Sequence, residues 1–158
     1  MAHDDSSPVE VEAFVEQMGE HFAQIGSTRI AGRLVGWLLV CDPPHQSAED
    51  LARATGASKG SVSNMVKLCA AAGLIQRIGI PGERRAYYQI RPEAWSELFV
   101  AQMAKTAQLR LIAEEGLKAL DDAPVERRAR LKGMRDLYAF YEGEVPAMLE
   151  RWRARQEE

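Results

Sequence analysis

The sequence predicts a mainly α-helical fold that carries one small β-wing. Three observations predict it. Apolar residues recur at three- and four-residue spacing near the N-terminus and again through the C-terminal third. Helix punctuation, with Ser or Pro before a segment and Gly after it, brackets the segments between. A single pair of β-runs, "LIQRIGI" and "RAYYQI", flanks a Pro-Gly turn. The 158 residues suit one domain with helical extensions, and 46% hydrophobic with 27% charged content is ordinary for a soluble globular chain. No apolar run reaches the roughly 18 residues of a membrane span, and "MAHDDSSPVEVE" lacks the basic-then-apolar order of a signal peptide. Cys41 and Cys69 are too few for a disulfide framework or a four-ligand zinc site, so no metal or cofactor is expected. A reducing cytoplasm is the expected location.

The elements follow in order. Pro8 to Gln24 predicts a first helix, with Val11, Phe14, Val15, Met18 and Phe22 on one side, Gly26 closing it and Ser27 capping the next. The second helix, "TRIAGRLVGWLLV", is apolar on most sides; its Gly32 and Gly36 predict close helix packing, and Pro43-Pro44 stops it. "SAEDLARATG" predicts a short third helix, opened by a capping box of Ser47 and Asp50 and closed by Gly56. Ser58 caps a fourth helix reaching about Ala72, with Gly73 beyond its end. Between the β-runs, Pro81 presets φ and Gly82 accepts φ > 0. Pro92 opens a long helix, and Asp121, Asp122 and Pro124 open a last one. Leu131, Met134, Tyr138, Tyr141, Val145, Met148 and Trp152 form a coiled-coil-like seam along the last helix, and Gly143 and Pro146 predict a kink or break in it.

The net charge of −3 hides an asymmetry. Residues 1–57 carry three basic and nine acidic side chains, whereas residues 58–91 carry Lys59, Lys67, Arg77, Arg84, Arg85 and Arg91 against Glu83 alone. Such a basic island in an acidic chain predicts a local anionic partner. A short helix, a glycine turn and a second helix form the helix-turn-helix arrangement, whose second helix enters the DNA major groove. Val62, Val66 and Cys69 share one face and should point inward with Leu51, Ala52, Ala57 and Met65. That leaves Lys59, Gly60, Ser61, Ser63, Asn64 and Lys67 outward, beside the Ser58 cap, where hydroxyls and an amide suit base edges and phosphates. The β-hairpin that follows is then a wing, with Arg84 and Arg85 at its tip and Arg77 on its first strand, placed for phosphate or a narrow minor groove.

With these residues in view, the chain resembles the MarR-type winged helix-turn-helix regulators, most closely the GbsR branch. "AGRLVGWLL", the double proline, "SKGSVS" and "PGERRAYY" carry the resemblance over about residues 14–100. It implies a homodimer that binds a pseudo-palindromic operator in double-stranded DNA, with recognition-helix positions on Ser58, Lys59, Gly60, Ser61, Ser63 and Asn64 and a wing arginine on Arg84 or Arg85. It also implies a choline-like effector. The expected organisation is an N-terminal dimerisation helix over 1–26, a winged helix-turn-helix domain over 27–91, and a C-terminal dimerisation region over 92–158.

Catalysis is not expected, because His3, His21 and His45 are scattered and lack a nucleophile or metal partner at useful spacing. A candidate effector pocket draws on Trp37, Trp95, Tyr138 and Tyr141, whose rings could hold a quaternary ammonium. Two alternatives stand beside the reading of a DNA-binding regulator, expected to be a repressor. One is a winged helix serving as a protein-interaction module. The other is control through oxidation of Cys41 or Cys69.

Overall fold

The computed structural model describes residues 8–156. The elements run α1 (Pro8–Gln24), α2 (Arg29–Val40), β1 (Gln46–Ser47), α3 (Ala48–Thr55), α4 (Lys59–Ala71), β2 (Ile75–Gly79), β3 (Ala86–Ile90), α5 (Ala94–Ala119) and α6 (Val125–Gln156). They form two compact units, one ending at Ala94 and the other beginning at Trp95. The expected residue His3 lies outside the described residues.

In the first unit, α1 ends where Gly26 takes a left-handed conformation, φ 86°. There the Ser27 amide donates to the Phe22 carbonyl at 2.9 Å, which satisfies one of the helix's last acceptors. The cap of α2 falls one residue later than expected, on Thr28, whose hydroxyl accepts from the Ala31 amide at 3.1 Å.

α1 and α2 pack through the two glycines. A Cβ on Gly32 would run into the carbonyl oxygen of Met18 and stand 2.8 Å from the Gly19 Cα, and one on Gly36 would lie 3.0 Å from the Met18 Cβ. This close approach buries Val15 and Phe22 and packs Met18 against the core. Val15, Phe22 and, in part, Met18 thus have partners inside the same chain, while Val11 and Phe14 stay half-buried. Leu34, Val35 and Leu38 of α2 meet Leu51 of α3, Val62, Val66 and Cys69 of α4, and Leu74 and Ile75, to complete the core.

The sheet has the order β1-β3-β2, all antiparallel. β2 and β3 pair from Ile75↔Ile90 to Gly79↔Ala86. Their turn closes with the Glu83 amide donating to the Ile80 carbonyl at 3.0 Å, Gly82 taking φ 84° as its position requires. β1 was not expected. Its two residues, pairing Gln46↔Tyr88 and Ser47↔Tyr87, are too few to carry an alternating pattern.

α5, which runs on through the second unit, begins at Ala94, whose amide donates to the Arg91 carbonyl at 3.1 Å, so Pro92 lies in the turn before the helix and not in its first turn. α6 runs through Gly143 and Pro146 without the expected break. A proline removes one donor, and in a helix of 32 residues intact turns on both sides carry the ladder across. Arg110 of α5 pairs with Glu114 at 2.7 Å and with Glu142 of α6. From Trp95 onward, Ala113 is the only fully buried residue among those described. No helix among the described residues is long and apolar enough to cross a membrane.

Candidate nucleic-acid interface

The expected capping box positions α3. The Ser47 hydroxyl accepts from the Asp50 amide at 3.2 Å, and an Asp50 carboxylate oxygen accepts from the Ser47 amide at 3.3 Å and from its hydroxyl at 2.5 Å. These contacts hold the Asp50 carboxyl below its ordinary range, the Ser47 hydroxyl first among the causes. Gly56 reverses the chain at φ 64°, and Ser58 opens α4 by accepting from the Ser61 amide at 3.2 Å.

The turn fixes the rotation of α4. Val62, Val66 and Cys69 are buried, while Ala52, Ala57 and Met65 pack partly buried against them. Lys59, Gly60, Ser63, Asn64 and Lys67 are exposed on the opposite side, as expected. Ser58 is exposed and Ser61 half-buried, their hydroxyls 2.9 Å apart, so both are engaged at the helix cap. Arg77 is exposed on β2, and Arg84 and Arg85 are exposed in the connection that leads into β3. Tyr87 stands edge-on to His45 at 5.4 Å, which joins the loop before β1 to the wing.

One residue of this surface escaped the sequence analysis. Glu49, in the first turn of α3, accepts from the Lys59 ammonium at 2.7 Å and pairs with the Arg85 guanidinium at 3.7 Å. Lys59 chiefly, and Arg85 after it, hold the Glu49 carboxyl below its usual range. In sequence, Glu49 is only a first-turn acid, and nothing in its spacing points to the wing.

Of the four aromatic residues proposed for an effector, Trp95 and Tyr141 line different cavities of the second unit. Trp37 belongs to the first unit, where its indole N–H donates to Gln46 at 3.4 Å. Trp95 lines a cavity of about 260 Å³ with Phe99, Met148, Leu149 and Trp152. Tyr141 lines another of about 320 Å³ with Val100, Met103, Val145 and Pro146, and Tyr138 borders neither. Phe99 and Trp152 thus share a cavity with Trp95 without having stood out in the sequence. The cysteines are shielded: burial pushes the Cys69 thiol up to about 11 and, as its first cause, raises that of Cys41. Among the described residues, no group of three or more His, Cys, Asp or Glu side chains could hold a metal ion.

A tight helical pair, a polar outward face on its second helix and a basic hairpin beside it define a winged helix-turn-helix. Residues 26–86 match the model of the MarR family, and residues 93–155 match that of the MmpR5-like MarR family transcriptional regulators. The chain is 44% identical over 146 residues to the HTH-type transcriptional regulator MmpR5 of Mycobacterium tuberculosis, a match covering 92% of this chain and 88% of that one. It is also similar to a transcriptional regulator of known crystal structure, at 43% identity and a TM-score of 0.72, covering 92% of this chain and 99% of the other. The chain belongs to the MarR family and is a DNA-binding transcriptional regulator.

Proposed function

We propose that the protein is a cytoplasmic, homodimeric repressor that reads a pseudo-palindromic operator through α4 and grips its flanks with the wing. The observation that carries this reading is the pairing of a polar outward face on α4 with exposed arginines on the adjoining hairpin. Lys59, Lys67, Arg77, Arg84 and Arg85 neutralise phosphates and release counterions. Ser63 and Asn64 read base edges, Asn64 by the bidentate geometry that suits adenine. Ser58 and Ser61 set the helix start, and Gly60 lets the backbone approach the duplex, since only the Ser58 hydroxyl, at 3.9 Å, lies near the place of its missing Cβ. Residues 1–26 and 92–158 supply the dimer helices around a binding domain of residues 27–91.

An effector belongs to the same proposal. The GbsR-like motifs support a choline-like cation, and a cavity lined by Trp95, Phe99 and Trp152 offers aromatic rings for cation–π attraction. Its binding favours a lobe separation that no longer matches successive major grooves.

A footprint on the protein's own promoter region tests the core of the reading. Two protected half-sites about one helical turn apart are expected. Asn64→Ala should then lose roughly 1–3 kcal/mol on that operator and little on random duplex. Equal losses on both would remove Asn64 from base reading, and a single unpaired half-site would remove the dimer mechanism.

A further inference from the structure

We infer that Lys59 and Arg85 form one phosphate clamp between the start of α4 and the wing, and that Glu49 occupies this clamp when DNA is absent. The inference rests on the reading of α4 and the wing as the DNA face.

Two cations from different elements converge on the two oxygens of one carboxylate: Lys59 Nζ lies 2.7 Å from Glu49 Oε1, and Arg85 Nη1 lies 3.7 Å from Oε2. A phosphate presents the same pair of anionic oxygens, so the arrangement that holds Glu49 also holds a backbone phosphate. The neighbouring acid is not available for this role. Asp50 is committed to the Ser47 cap and to Arg53 at 3.3 Å.

Exposure makes the exchange easy. The side chains of Lys59, Arg85 and Glu49 are 74%, 64% and 51% exposed, and pairs in such surroundings hold weakly. A phosphate can therefore displace the carboxylate once α4 is seated in the groove. On random duplex α4 is not seated, and Glu49 keeps the two cations. Glu49 then lowers affinity for random DNA more than for the operator, which widens the ratio between them.

The test compares the full-length protein with Glu49→Gln, with Lys59→Ala/Arg85→Ala, and with all three changes together, on operator and on random duplex across a salt series. Glu49→Gln keeps the side-chain shape and removes the charge. It should tighten random-DNA binding roughly two- to fivefold and steepen the slope of log K against log salt by about 0.9, one phosphate's worth, with a smaller gain on operator. The gain should vanish in the Lys59→Ala/Arg85→Ala background. A gain that persists there would mean general charge repulsion and would overturn the clamp, as would unchanged or weaker binding by Glu49→Gln. The Lys59→Ala/Arg85→Ala protein by itself tests the underlying reading: unchanged operator binding would remove these residues from the DNA face altogether.

Discussion

Gly32→Ala is the sharpest test of how α1 is held. In an exposed helix this substitution stabilises by about 1 kcal/mol, because alanine loses less backbone entropy than glycine. At Gly32 the new Cβ meets the Met18 carbonyl oxygen and comes 2.8 Å from the Gly19 Cα. Both are backbone atoms, so no rotamer change relieves the contact and α1 must move off α2. Overpacking of this kind costs about 1–3 kcal/mol. Because rigid backbone puts the cost near the upper end, the clash wins and the net loss is about 1–2 kcal/mol. Urea unfolding followed by tryptophan fluorescence at one fixed protein concentration should show a midpoint lower by about 0.5–1 M, for an m-value near 2 kcal/mol/M. Gly133→Ala is the control. Nothing lies within 4 Å of its missing Cβ, so the same substitution there should stabilise. A Gly32→Ala protein as stable as the parent would refute the close packing of α1 on α2.

Replacing Arg84 and Arg85 with alanine should flatten the slope of log K against log salt by up to about two, and an unchanged slope would take the wing off the phosphates. Ser47→Ala should cost about 1 kcal/mol at neutral pH by removing the α3 cap, measured by urea unfolding. The folded Asp50 carboxyl is held low, so its stabilisation is present above its ordinary value of 3.8 and is lost as pH falls through the lowered folded value. Asp50→Asn should abolish that component of the acid loss. Peroxide should leave DNA binding unchanged in the parent and in Cys41→Ser, because burial keeps both thiols protonated at neutral pH.

What the sequence made legible was local chemistry. Ser47 with Asp50, Ser58, and the glycines at 26, 56, 73 and 82 mark helix ends and turns within a few residues of themselves, and each stands where it was expected, whereas Ser61, expected outward, is half-buried at the Ser58 cap. The inward set Val62, Val66 and Cys69 followed from period alone, and with it the outward set on α4. What stayed hidden depends on partners far along the chain. β1 exists because β3, some forty residues on, pairs with it. The same holds for Glu49, which gains its meaning only when folding brings Lys59 and Arg85 to it.

The two units differ in where their apolar surface goes, and that difference carries the case for a dimer. The first unit closes a core of its own, with Phe22 and Met18 of α1 packed into it. The second consists of helices of 26 and 32 residues that fully bury one side chain, Ala113, from Trp95 onward among the described residues. Ile112 is 54% exposed and Phe140 62%, and Trp95, Leu111, Leu137 and Trp152 are exposed as well. Isolated helices gain most of their stability from packing an apolar face, and exposed apolar side chains gathered on two helices favour an interaction surface. In the proposed dimer a second copy would offer the same stripes, and a twofold axis would bury each against its mate. Light scattering should therefore give twice the 17.6 kDa chain mass, and removing residues 124–158 should lower operator affinity towards that of a single half-site. A well-folded intact chain at 17.6 kDa would leave these helices without the burial they need, and would overturn the two-half-site mechanism together with the dimer.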